Sequence, residues 1–244
     1  MKRLNSLWFC IILIVFSACS SDGVNTENTL AQYVKDKNIE VGGVIACAAS
    51  DKTTGDIFAF FYPEPGATNI KYYETENSNF DKNDYGSYFE VKHSIVPVFN
   101  GYLGRFTHNA QHEKWIIVTF ELDGDIKISN PIRSKQLSKP TLWNGAVTIE
   151  QSQSTMPFFY WVDNPVGDNA IYFQVVTDDE NNLLSGTYTH ENTFQYYNTS
   201  NVILNVTRNT PPNLIIGNTY NFTLMDVSKD NWVNWVVEKT FEAK

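Results

Sequence analysis

The chain has 244 residues, 42% of them hydrophobic and 14% aromatic, and a formal charge of -9. That much apolar and aromatic material is enough to fill one large or two ordinary cores, which argues against a disordered chain. The acidity opposes binding to DNA, RNA and anionic lipid surfaces, and no basic stripe interleaved with aromatic residues offsets it, so no nucleic-acid partner is expected.

Lys2 and Arg3 form a short basic head, followed by an apolar run over residues 7–16. The run has the length of a signal-peptide core and is too short to cross a bilayer as a helix. The small pair Ser17-Ala18 then precedes Cys19. Head, run, small pair and cysteine in this order resemble the leader and lipobox of bacterial lipoproteins, with Phe16 where that family more often has leucine. The resemblance implies that residues 1–18 are removed as a signal peptide and that Cys19 becomes an acylated N-terminus. More than one acyl chain, at about 0.8 kcal/mol per buried methylene, gives a stable membrane anchor. Ser20 after the cysteine is similar to an outer-membrane sorting signal. The following Ser-Asp-Gly resembles the surface-export signal of Bacteroidetes-type lipoproteins, with a single acid. The periplasmic and the cell-surface face both stay open.

Of the three cysteines, Cys10 lies in the leader and Cys19 is the lipid site, so only Cys47 remains and no internal disulfide framework is expected. Cys47 sits in the apolar run 44–49 and reads as a buried small hydrophobe. Residues 19–38 are polar and read as the lipidated cysteine and a flexible tether, with one helical turn at 30–34.

From residue 41 the text becomes short β-like runs separated by turn residues: 44–49, 57–62, 70–74, 88–92 and 102–106. Runs 115–122 and 125–132 bracket Asp123-Gly124. An Asp-Gly pair between two such runs predicts a hairpin, because a type I′ turn needs positive φ at both central residues. The polar stretch 133–140 ends in Pro140, and a boundary between a first domain, 39–135, and a second, 136–244, is placed there. The β text then resumes at 146–150, 157–162, 170–177, 183–189, 201–206, 219–227 and 231–241. Helical periodicity is nearly absent, so the expected fold is all-β, two tandem antiparallel β-sandwich domains.

In the second half Leu214, Gly217 and Tyr220 lead into Phe222 and Leu224. This resembles the corner of fibronectin type III-like and immunoglobulin-like sandwiches. It implies that the ring of Tyr220 packs inward and its hydroxyl turns back to the backbone. Trp161 is similar to the core tryptophan of an early strand in such domains.

Several residue groups have site-like chemistry, and turn and core packing compete to explain each. His108 and His112 have helical zinc spacing but sit in loop text without a third ligand, and no metal is expected. The acidic loops at 81–84, 123–125 and 178–180 offer the clustered oxygens that calcium takes, but turn chemistry alone explains them; calcium stays open, and no cofactor is expected. Aromatic residues gather at Tyr72, Tyr73, Tyr85 and Tyr88, and again at Tyr196, Tyr197, Trp232 and Trp235. In a strand, Trp232 and Trp235 point to opposite faces, so at least one is expected outside the core. Tyr196, Tyr197, Trp232 and Trp235 are therefore the candidate binding residues. Enzyme motifs built on Gly-x-Ser-x-Gly, His-Glu-x-x-His or a phosphate-cradling glycine loop are absent. The expectation is a lipid-anchored outer-membrane protein without catalytic residues that holds a glycan or an envelope protein. A hydrolase using loop carboxylates and a structural accessory subunit are the alternatives.

Overall fold

The run Ile57-Phe-Ala-Phe-Phe61 has no polar side to turn toward water, so both of its faces must be covered. That condition recurs along the chain and sets the architecture. The computed structural model describes residues 28–163 and 168–244, which form eighteen strands and one short helix. The first half holds α1 (Leu30–Val34), β1 (Ile39–Val44), β2 (Ala46–Ser50), β3 (Ile57–Phe61) and β4 (Thr68–Glu74). It continues with β5 (Phe89–Val91), β6 (Val96–Val98), β7 (Leu103–His108), β8 (Trp115–Leu122), β9 (Asp125–Ser129) and β10 (Ile132–Arg133). The second half holds β11 (Val147–Glu150), β12 (Phe158–Trp161), β13 (Asn169–Asp178) and β14 (Leu183–Thr189). It ends with β15 (Thr193–Gln195), β16 (Leu204–Asn205), β17 (Thr219–Ser228) and β18 (Val233–Glu242).

These strands make four sheets. Sheet I runs β1-β9-β8-β4-β5, with β10 also on β8. Sheet II runs β2-β3-β7-β6, sheet III runs β16-β14-β13-β17-β18, and sheet IV runs β11-β12-β15. The pairing is antiparallel except for β1 on β9, which is parallel. The protein is all-β, with its sheets packed face to face. The hairpin β8–β9 turns on Asp123 at φ 54° and Gly124 at φ 90°, a turn that matches the twist of its strands.

The sheets stack in the order I, II, III, IV, and an apolar layer fills each gap. Between I and II lie Ile57, Ala59, Phe61, Phe106, Val118 and Phe120. Between II and III lie Cys47, Phe60, Leu103, Val175, Met225 and Val236. Between III and IV lie Phe159, Trp161, Phe222, Leu224 and Trp235. Strand parity explains the pattern: Ile57, Ala59 and Phe61 face one layer while Phe60 faces the next. The outer face of sheet I is covered as well. There α1 and the 3₁₀ turn Tyr85–Ser87 bring Leu30 and Tyr88 onto Tyr73, Ile117, Ile126 and Ile128. The tether expected over 19–38 is corrected accordingly. Its described part, 28–38, is docked: Leu30 is fully buried, and its N–H donates to the Tyr88 carbonyl at 2.9 Å.

The link between the halves is tightly bonded. Ser50 and Thr141 exchange two 2.8 Å hydrogen bonds, the Thr141 hydroxyl donates to the Val233 carbonyl, and Leu142 pairs with β18 through Asn234 and Val236. The β17–β18 hairpin then reaches across. Trp232 pairs beside Ala48 at the edge of sheet II and buries its indole between sheets I and II, with Nε1 donating to the Lys139 carbonyl at 2.8 Å. Residues beyond the 135/136 boundary thus complete the core in front of it.

At the corner near β17 the Tyr220 ring is buried, and its hydroxyl accepts from the Ile215 N–H at 2.9 Å. Leu214 is buried beside it, and Gly217 turns at φ 84°. Gly145 is required by close approach: a Cβ there would lie 2.2 Å from the Trp235 ring, at a φ of 149°.

Trp232→Ala should cost about 3–5 kcal/mol of stability, the usual range for an emptied aromatic core site. Because that indole belongs to the front core while its strand belongs to sheet III, urea unfolding followed by tryptophan fluorescence and by circular dichroism should show one shared transition moved to lower urea. A loss under about 1 kcal/mol would contradict the packing described.

Candidate functional site

The structure brings none of the proposed aromatic binding residues to an open surface as a group. Trp232 is 0% and Trp235 5% exposed, so the expectation that one of them lies outside a core is corrected. The two indoles lie on opposite sides, but not by simple alternation: Trp232 precedes β18, the pairing shifts register between Val233 and Trp235, and Val233 and Val236, also three apart, share one layer. Each side is covered, because Trp232 enters the I/II core and Trp235 the III/IV core. Tyr196 is also fully buried, its hydroxyl donating to the Pro212 carbonyl at 2.7 Å. Tyr197 is half-buried at positive φ, with its hydroxyl on Asn213. Cys19 and the leader lie outside the described residues.

Exposed aromatic surface appears elsewhere. The inward residues of β12 are Phe159 and Trp161, so Phe158 and Tyr160 face outward from sheet IV, followed by Val162; Tyr160 is 43% and Val162 84% exposed.

The most site-like concavity opens where sheets II and III diverge at one end of their seam. Its volume is about 400 Å³. Phe58 from β3 and Arg105 from β7 line one wall, Asn221 and Thr223 from β17 the other, and Phe99 and Trp143 reach in from loops. Each side chain is there for a local reason. On β7, Phe106 faces the I/II core and Leu103 the II/III seam, so Arg105, two residues from Leu103, is turned to the seam. On β17, Phe222 and Leu224 fill the III/IV core, which leaves Asn221 and Thr223 on the cleft side. Trp143 is oriented by its Nε1, which donates to the Ser50 carbonyl at 2.8 Å. The Arg105 guanidinium lies 4.2 Å from the Phe58 ring centroid. Aromatic faces with amide, hydroxyl and guanidinium groups between them make a surface that can stack on a flat ligand and hydrogen-bond its rim. A wider hollow of about 560 Å³ at the turn end of sheet I is open and lined by turn residues such as Asp36, Gly66 and Asp123, with no aromatic wall.

A second polar group sits at the open edge between sheets I and II. The His93 and His108 rings are 4.9 Å apart, Nε2 of His108 is 3.5 Å from Oε2 of buried Glu74, and Glu74 also pairs with Lys114 and accepts from the Tyr72 hydroxyl at 3.2 Å. His108 therefore meets His93, not His112, which is exposed in the loop. Burial lowers the pKa of both histidines; the neighbouring His108 and Lys114 add to the shift of His93, and Lys114 to that of His108, against the opposing pull of Glu74. Among the described residues no three of His, Cys, Asp and Glu are placed to hold a metal ion.

Sequence reading missed both places. The one signal for the cleft was a single cation inside the apolar strand text Leu103-Gly-Arg105-Phe106. His93 carried no signal, since it is distant from His108 in the chain. No protein-family model and no curated protein matches the chain.

Because both histidines bind protons less readily when folded, the unfolded chain takes up protons first as pH falls below about 6.5. Thermal midpoints should stay level above that pH and decline below it, and a His93→Gln, His108→Gln chain should lose that part of the slope. A midpoint that rises from pH 6.5 to 5.5 would contradict the assignment. Burial pushes the Cys47 thiol up to about 12, so a thiol reagent at pH 8 should label it only after denaturant is added.

Proposed function

We propose that this protein is a non-catalytic binding module, held at the outer membrane of a bacterium by lipid on Cys19, and that it holds a glycan in the cleft between sheets II and III. The observation that carries this reading is the cleft wall. Phe58, Phe99 and Trp143 supply ring faces, Thr223 supplies a hydroxyl, and Asn221, whose amide already accepts from Thr240 and donates to the Asp178 carbonyl, keeps a second N–H to donate. Sugars offer an apolar ring face bordered by hydroxyls, which is the complement of that wall. The cleft also lies between two sheets already locked together by an apolar seam, so binding need not order its walls, and little conformational entropy is lost. The fibronectin type III-like character of the second sheet pair belongs to the same proposal, supported by the buried Tyr220 and its bond to Ile215.

A second reading, an accessory subunit seated on an envelope protein, is favoured by the outward Phe158, Tyr160 and Val162 of sheet IV. The two readings separate in one experiment on the full-length chain. Binding to a glycan array should fall about tenfold or more in Trp143→Ala and in Asn221→Ala, with cooperative unfolding retained. Unchanged glycan binding in both variants would remove the cleft reading. Co-purification of one stoichiometric protein, lost in Tyr160→Ser, would favour the accessory subunit, and turnover of a polysaccharide would overturn the non-catalytic role.

A further inference from the structure

Resting on the cleft as the ligand site, we infer that the glycan it takes carries an isolated carboxylate, an acidic sugar such as a uronic acid, and that Arg105 is the group that reads it.

With one exception among the described residues, this chain gives each half-buried cation a carboxylate. Lys71, Arg105, Lys114, Lys127, Arg133, Lys135 and Lys139 are the half-buried lysines and arginines among the described residues. Six of them are ion-paired: Lys71 with Glu90, Lys114 with Glu74, Lys127 with Glu40, Arg133 with Glu113, Lys135 with Asp230 and Lys139 with Asp168. Arg105 has no ion pair among the described residues. Its Nε is shielded from solvent and has no hydrogen-bond partner.

A guanidinium withdrawn from water without a carboxylate is costly, and in a chain with 27 acidic residues a partner would be easy to supply. The carboxylate that does line the cleft, Glu238, is held by Lys52 at 3.7 Å. Arg105 is meanwhile kept in place by the Phe58 ring, 4.2 Å from it, which fixes the plane of the fork without using its donors. A planar fork with free donors, fixed in a cleft, matches a carboxylate in bidentate geometry.

The overall charge narrows the class further. At -9 the protein repels densely charged chains, so the acid must be sparse: one carboxylate within an otherwise neutral sugar, its ring on the aromatic wall. A peptide would draw on backbone pairing along a strand edge, whereas this wall offers rings, amides and hydroxyls from side chains.

The test uses matched probes on the full-length protein: oligosaccharides with a single glucuronic or galacturonic acid, and the same molecules with the carboxyl reduced to the alcohol. The acidic member of a pair should bind about tenfold tighter or more. Arg105→Gln should erase that difference while keeping the thermal midpoint, and Arg105→Lys should restore only part of it because the fork is lost. Equal affinity for both members, with both lost in Trp143→Ala, would overturn the acidic sugar and leave the cleft standing. Discrimination that survives Arg105→Gln would overturn the role of Arg105. Absence of binding to every acidic and neutral oligosaccharide, or binding of an acidic peptide in their place, would overturn the glycan itself.

Discussion

The seam between sheets II and III is the contact on which the rest of this molecule depends. Cys47, Phe60 and Leu103 on one side meet Phe173, Val175, Met225 and Val236 on the other, so what would have been the outer faces of two sheet pairs become an interior. Apolar area removed from water contributes roughly 25 cal/mol per Å², and a seam between whole sheets removes a great deal of it. Once those faces are joined, the inner sheets are buried on both sides. Strands such as β3 and β13 then carry apolar residues at consecutive positions where a one-sided sheet would alternate.

The crossing of Trp232 follows from that contact. With sheet III held against sheet II, the end of the β17–β18 hairpin lies beside β2, and the indole at its tip falls into the gap between sheets I and II. The hydrogen bonds among Ser50, Thr141 and Val233 seal the same corner. The two halves of the chain are therefore coupled twice, by a greasy face and by a shared side chain. The cleft that opens at one end of the seam is held on both walls by structure that is already rigid, as suits a site that recognises shape.

The polar groups divide by the same geometry. Ion pairs such as Lys135 with Asp230 and Lys139 with Asp168 tie the linker to the hairpin loop and the start of β13. Glu74, Lys114, His93 and His108 close the edge of the front sandwich. Arg105, facing the cleft, stands apart from these networks as the half-buried cation without an ion pair among the described residues.

Much was legible from one residue to the next. Asp123-Gly124 announced its hairpin because positive φ is a local property of those residues, and the spacing of turn residues announced an all-β chain. Alternation also predicted opposite facings for Trp232 and Trp235, yet a register shift between Val233 and Trp235, with Trp232 ahead of β18, sets where they point. What parity could not supply was the environment on either side. Whether the outward face of a strand meets water or another sheet depends on partners far away in the chain, and here it meets another sheet, so both indoles are buried. The same distance hid His93 from His108 and left Arg105 looking like an ordinary strand cation. The amino-acid sequence by itself determined the strands, their turns and which side chains share a face, because these follow from local sterics and the two-residue period. Which faces are covered, where the cleft opens and which charge is left without a partner were decided only by the tertiary stack, because burial is a property of surfaces meeting at long range.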